Sequence, residues 1–110
     1  MMTVKEVCLY GVKDYYIRSD PGEPIPKVSP PQVKKCREFI RVHLKPHRRG
    51  RSSYHFKHAV ERVYGGYYAN GSFIAAAILE GCEVERIGLG PNVIVKMDYK
   101  DRATKIMCNG

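Results

Sequence analysis

The stretch "PHRRGRSSYHFKHAVER", residues 46–62, holds four arginines, a lysine, three histidines, a tyrosine and a phenylalanine in seventeen positions. How it divides decides the fold. Pro46 pushes the residue before it out of the helical region, so a helix arriving from upstream ends near Lys45. "HRRGRS" then reads as a short basic loop around Gly50. Ser52 or Ser53 offers a cap oxygen. Phe56, Ala59, Val60 and Val63 recur at helical spacing, which predicts a helix over "YHFKHAVERVY" ended by Gly65-Gly66.

Upstream, "SPPQ" at 29–32 is a helix start, with Ser29 as N-cap, proline in the first turn and Gln32 three residues after the cap. Val33, Cys36, Ile40 and Leu44 form its apolar stripe, with Lys34, Arg37, Arg41 and Lys45 on the other sides. Downstream, Asn70 and Gly81 bracket a third helix, "GSFIAAAILE". From Phe73 to Leu79 it is apolar at every position, as expected of a buried helix.

Residues 3–12, "TVKEVCLYGV", read as a strand with Val4 and Val7 as core contacts. A proline-rich connector covers 18–30; residues 20–31 alone hold five of the seven prolines and exclude helix and central strand. "EVERI" at 83–87 and "NVIVKMDY" at 92–99 form a hairpin through "GLGP". The last residues, from Lys100, suit neither helix nor strand clearly. The expected fold is therefore one α+β domain over 1–110, with an N-terminal strand, three helices and a C-terminal β-hairpin. That is a winged-helix-like order.

The 110 residues carry a formal charge of +8, and its location is informative. Residues 31–62 hold ten Lys or Arg against two acids, Glu38 and Glu61, and the rest of the chain is balanced at nine and nine. A charge run is ordinarily a solvated face. One that carries the whole net charge points to an anionic partner, nucleic acid first. The expected contacts are Lys34, Lys35, Arg37, Arg41, Lys45, Arg48, Arg49, Arg51, Ser53, Tyr54 and Lys57. Asn70 and Ser72 join them at the start of the third helix, where free N–H groups suit a phosphate. Arginine forks onto phosphate or guanine, while lysines position the backbone. Tyr54 and His55 are the aromatics free to stack on unpaired bases.

Other chemistries find less support. His55 and His58 could share a helix face near Cys36, but the spacing matches no common zinc module, so no metal or cofactor is expected. Glu61 and a histidine could form an acid–base pair, yet no paired carboxylates, phosphate loop or nucleophile motif accompanies them. No enzyme is expected. Cys8, Cys36, Cys82 and Cys108 are widely spaced and read as reduced, mostly buried thiols. No apolar run approaches the ~20 residues of a membrane span, and "MMTVKEVCLY" lacks a signal region, so a cytoplasmic location is expected. Tyrosines at 64–68 would suit a homodimer contact as well as a core.

Two motifs carry a resemblance. Ser52, Ser53, Tyr54, Lys57, His58 and Glu61, followed by Tyr67, Asn70, Gly71, Phe73, Ile74, Ala76 and Ala77, follow a pattern S-S-Y-x-x-K-H-x-x-E … Y-x-x-N-G-x-F-I-x-A-A. The segment resembles small, mostly uncharacterised proteins encoded by phages, prophages and plasmids. The resemblance implies no defined activity. It implies a mobile genetic element, where small basic proteins are often regulators or inhibitors of host defence. A regulatory nucleic-acid-binding protein is the leading expectation. An anti-CRISPR-type inhibitor that binds an effector protein or its guide RNA is the alternative.

Overall fold

The computed structural model describes residues 1–109. After a 3-10 turn at Val4–Glu6 come β1 (Val7–Cys8), β2 (Gly11–Val12), α1 (Lys13–Ser19), α2 (Pro30–His43), β3 (Leu44–Ser52), α3 (Ser53–Tyr64), α4 (Asn70–Leu79), β4 (Val84–Arg86), β5 (Val93–Tyr99) and α5 (Arg102–Asn109). The class is α+β. Among the described residues no helix is long and apolar enough to cross a membrane.

The apolar helix α4 is the centre of the fold. Every residue from Asn70 to Ala77 is buried, and α2, α3, β5 and the β1–β2 ribbon pack around it. Phe39, Phe56 and Phe73 are wholly inaccessible. Phe56 and Phe73 stack with ring centres 5.3 Å apart, and Phe39 meets Phe73 edge-on at 6.4 Å. Both geometries favour aromatic pairs. Along β5, Val93, Val95, Met97 and Tyr99 are buried while Ile94, Lys96 and Asp98 are half-exposed. This alternation marks a sheet with one face on the core.

The β4–β5 hairpin pairs as its sequence suggests, with Val84 opposite Val95 and Arg86 opposite Val93. The helix count and the strand positions differ from expectation. The segment 47–52 is not a loop: it belongs to β3, the edge strand of a sheet ordered β3-β5-β4. Leu44 pairs with Tyr99 and Pro46 with Met97, and the register then slips before Arg51 meets Val95. Pro46 is tolerated because an edge strand leaves its missing N–H unneeded. At the slip, His47 Nδ1 accepts from the Arg49 and Gly50 amides at 3.2 and 3.3 Å. Gly50 adopts φ +70°, and a side chain there would meet the Val95 carbonyl. Only glycine fits both demands.

The N-terminal strand is also shorter than expected. Two-residue strands pair Val7 with Val12 and Cys8 with Gly11; Val7 is buried and Val4 only partly so. Helix α1 takes the first residues of the expected connector, and irregular chain then runs from Asp20 to Ser29. α5 occupies the ambiguous C-terminal segment, burying Thr104 and Cys108. α2 stops at His43 rather than Lys45, and Phe39 joins its buried face.

Two expected caps do not form. Ser29 and Asn70 accept no capping bond. Gln32 instead reaches across to the α3–α4 turn. It accepts from the Ala69 amide at 3.0 Å and the Ser72 hydroxyl at 2.9 Å, and donates to the Tyr67 carbonyl at 3.2 Å. Ser52 caps α3 through the Tyr54 amide.

Candidate nucleic-acid interface

The ten cations of residues 31–62 separate into two sets. Five are bound to carboxylates. Arg37 and Arg41 both hold Glu80 Oε2, at 2.6 and 3.0 Å. Arg51 holds Asp98 at 2.8 Å, Lys35 lies 3.6 Å from Glu38, and Lys57 lies 3.1 Å from Glu61. The three arginine contacts draw on Glu80, at the end of α4, and Asp98 of β5, outside the basic stretch; the two lysine contacts use Glu38 and Glu61 within it. Among the described residues, Lys34, Lys45, Arg48, Arg49 and Arg62 make no ion pair, and all five are exposed.

Four residues expected at the interface lie inside the protein instead. Ser53 is fully buried and its hydroxyl accepts from the Val93 amide at 3.1 Å. Ser72 is fully buried against Gln32. Asn70 donates from Nδ2 to Asn92 Oδ1 at 2.9 Å and to the Tyr10 and Pro91 carbonyls at 3.2 and 3.4 Å. Lys57 is 6 % exposed. The Gly71 amide at the start of α4 is taken: it donates to the Leu9 carbonyl at 2.9 Å, seating the β1–β2 turn on the helix, and is not free for a phosphate. Tyr54, half-exposed, remains on the surface.

Two grooves flank β3. One, of about 810 Å³, runs between β3 and α5 and is lined by Lys45, His47, Asp98, Asp101, Arg102 and Lys105 among others. The other, of about 660 Å³, lies on the α4 side, where Arg48 and Lys96 share the walls with Glu80 and Glu83. Those two carboxylates interrupt the positive surface between β3 and α2. On the α5 side Lys45 shares its groove with Arg102 and Lys105, beside Asp98 and Asp101. Arg102 and Lys105 were not among the expected contacts. The signal was present as cations without nearby excess acid, but a balanced count over the rest of the chain concealed it.

The polar centres are built for structure. Glu61 accepts from the Tyr68 amide at 2.9 Å and from Lys57, and its other oxygen lies 3.0 Å from His58 Nδ1. Burial raises its pKa, but the Tyr68 amide, Lys57 and His58 outweigh that and hold it below the ordinary carboxylate value. Asp98 is likewise held low, the Arg51 guanidinium and the Tyr99 amide overcoming burial. His55 Nε2 sits 2.8 Å from the Tyr99 hydroxyl; burial first, then Arg51 and Arg62, lowers its pKa. His55 and His58 thus have separate partners and do not converge. Burial pushes the Cys36 thiol up to about 12 and the Cys82 thiol to about 11, which keeps both protonated and poorly nucleophilic. All four cysteines are free, and three are buried.

Fold and site together define a small basic α+β protein in which three of the five unpaired cations of the basic stretch, Lys45, Arg48 and Arg49, lie on one sheet edge. No protein-family model, no curated protein and no solved structure matches the chain.

Proposed function

We propose that this chain is a non-enzymatic nucleic-acid-binding protein that grips the phosphate backbone with the bulged edge of β3. The observation that carries the reading is the set Lys45, Arg48 and Arg49, exposed on an edge strand without carboxylate partners, with Lys45 lining one groove together with Arg102 and Lys105. Asp98, paired with Arg51, and Asp101 also line that groove, so the grip on a polyanion falls to the unpaired cations of β3. Gly50 lets the bulge protrude and present its two arginines.

The finer winged-helix reading rests on α2, α3 and α4 followed by the β4–β5 hairpin. In that arrangement α4 would take the place of the groove-reading helix. Its burial transfers contact to β3 and α5, so backbone positioning dominates over base readout. The motif resemblance supports a regulator from a mobile genetic element.

Salt dependence tests the reading. Affinity for DNA or RNA should fall steeply between 50 and 200 mM salt. Replacing Arg48 and Arg49 with glutamine should weaken binding and reduce the log–log slope by about 1.5–2, the release expected for two lost phosphate contacts. Binding that ignores salt, or a partner from the host that survives nuclease treatment while no nucleic acid binds, defeats it.

A further inference from the structure

Three tyrosines from separate parts of the chain converge on one concavity that the phosphate grip does not use. Tyr10 comes from the β1–β2 turn, Tyr54 from the first turn of α3 and Tyr67 from the α3–α4 turn. They are 51 %, 50 % and 60 % exposed. With Lys57, Asn70, Pro91 and Asn92 they enclose about 300 Å³, near the lower end of the range of small-ligand pockets. Single exposed aromatics are ordinary. Three that meet around one hollow leave apolar ring surface in water.

The pocket is preorganised. Lys57 Nζ lies 5.3 Å from the Tyr54 ring centre and 4.7 Å from that of Tyr67, so one cation holds both rings. Glu61 fixes that cation. His58 meets Tyr54 edge-on at 4.5 Å. Asn70 is oriented by the three bonds from its Nδ2, and its Oδ1 is a buried acceptor without a partner among the described residues. Unmet buried acceptors are rare in proteins and call for an N–H.

We infer that this hollow binds a nucleobase: a flat ring laid against the tyrosines, with an N–H edge toward Asn70. The charge balance excludes a phosphate site, since Lys57 is already neutralised by Glu61. A neutral, planar, N–H-bearing ligand is what remains. Tyr54 is the second residue of α3, which directly follows β3, so the pocket and the cationic edge are joined by one short piece of chain. This inference rests on the nucleic-acid reading for its macromolecular source, an unstacked base of a single strand. A free nucleoside presents the same chemistry.

The test compares a deoxyadenosine decamer with an abasic decamer of equal length and charge, with adenosine as a third ligand, followed by tyrosine fluorescence. Stacking of one base predicts roughly 5- to 150-fold tighter binding of the decamer that has bases. Y54L and Y67L should bring it down to the abasic level and leave the abasic affinity unchanged, while Y67F keeps the preference. Circular dichroism and thermal unfolding verify that the variants fold. Equal affinity for the two decamers overturns the inference, as does a loss in Y54L or Y67L that is the same for both. If adenosine binds and is lost in Y67L while neither decamer binds, the pocket stands and the nucleic-acid reading falls. If no ligand of the three binds, both fall.

Discussion

Arg51 donates to Asp98 Oδ1 at 2.8 Å and lies over the Tyr99 ring at 5.6 Å, so the third arginine of "RRGR" belongs to the β3–β5 sheet. Arg48 and Arg49, on the same strand, make no ion pair among the described residues. Neutralising Arg51 should therefore act on stability and neutralising the other two on binding. R51Q is expected to cost about 1 kcal/mol, discounted for a pair that is only partly buried. R48Q/R49Q should leave urea unfolding unchanged. The converse pattern would place the grip on Arg51.

Gly71 sits in α4, where alanine would ordinarily favour the helix by ~1 kcal/mol. A Cβ there would run into the Cys8 carbonyl and come within 2.7 Å of the Leu9 carbonyl. G71A is thus expected to destabilise, by about 2 kcal/mol or more, as the β1–β2 ribbon is forced off the helix. Thermal unfolding checks the sign. A gain in melting temperature would mean that the ribbon is not seated there.

Glu61 joins Lys57, His58 and the Tyr68 amide. E61Q keeps the shape and removes the charge, leaving Lys57 buried without its counter-ion. The expected loss is about 3 kcal/mol, in the range for breaking a buried pair. A double variant, K57M/E61Q, should recover part of it, because the buried charge is gone. A double-mutant cycle by urea unfolding measures the coupling.

Acid should destabilise the protein in two stages. His55, through burial and then Arg51 and Arg62, and His43, through burial and then Lys100, both have pKa values below 6.5 in the fold. A base held below its unfolded value contributes stability that is complete above 6.5 and is lost as pH falls through the folded value. Glu61 and Asp98, held below 4.5 and 3.8, keep their contribution above those values and lose it on further acidification. Melting temperature measured from pH 8 to 3 should show a first decline below about 6.5 and a second, steeper one below about 4.5. H55N should shrink the first and leave the second.

The helices α2, α3 and α4 were legible because each has a local mark: a proline start, a serine cap with an apolar stripe, or an unbroken apolar run between turn residues. β4 and β5 were legible from their alternation and the glycine-rich turn. β3 was not. Its sequence, "LKPHRRGRS", is cationic and broken by Pro46 and Gly50, and it becomes a strand only because β5 supplies the hydrogen bonds. α1 and α5 are short, seven and eight residues, bury little of their own, and depend on the surfaces they cover. In "PHRRGRSSYHFKHAVER" the division into a basic segment and a packed helix was correct; the state of the basic segment was not readable.

Composition and periodicity determined that this chain is a basic α+β protein with a buried helix at residues 70–79, since both follow from residues near in sequence. Only the tertiary structure decided which charges are free. Glu80 and Asp98 come from α4 and β5 to bind cations of α2 and β3, and α5 brings Arg102 and Lys105 opposite Lys45. A formal charge is additive along the chain. A binding surface is set by which opposite charges lie within a few ångströms, and that is a property of the folded contacts.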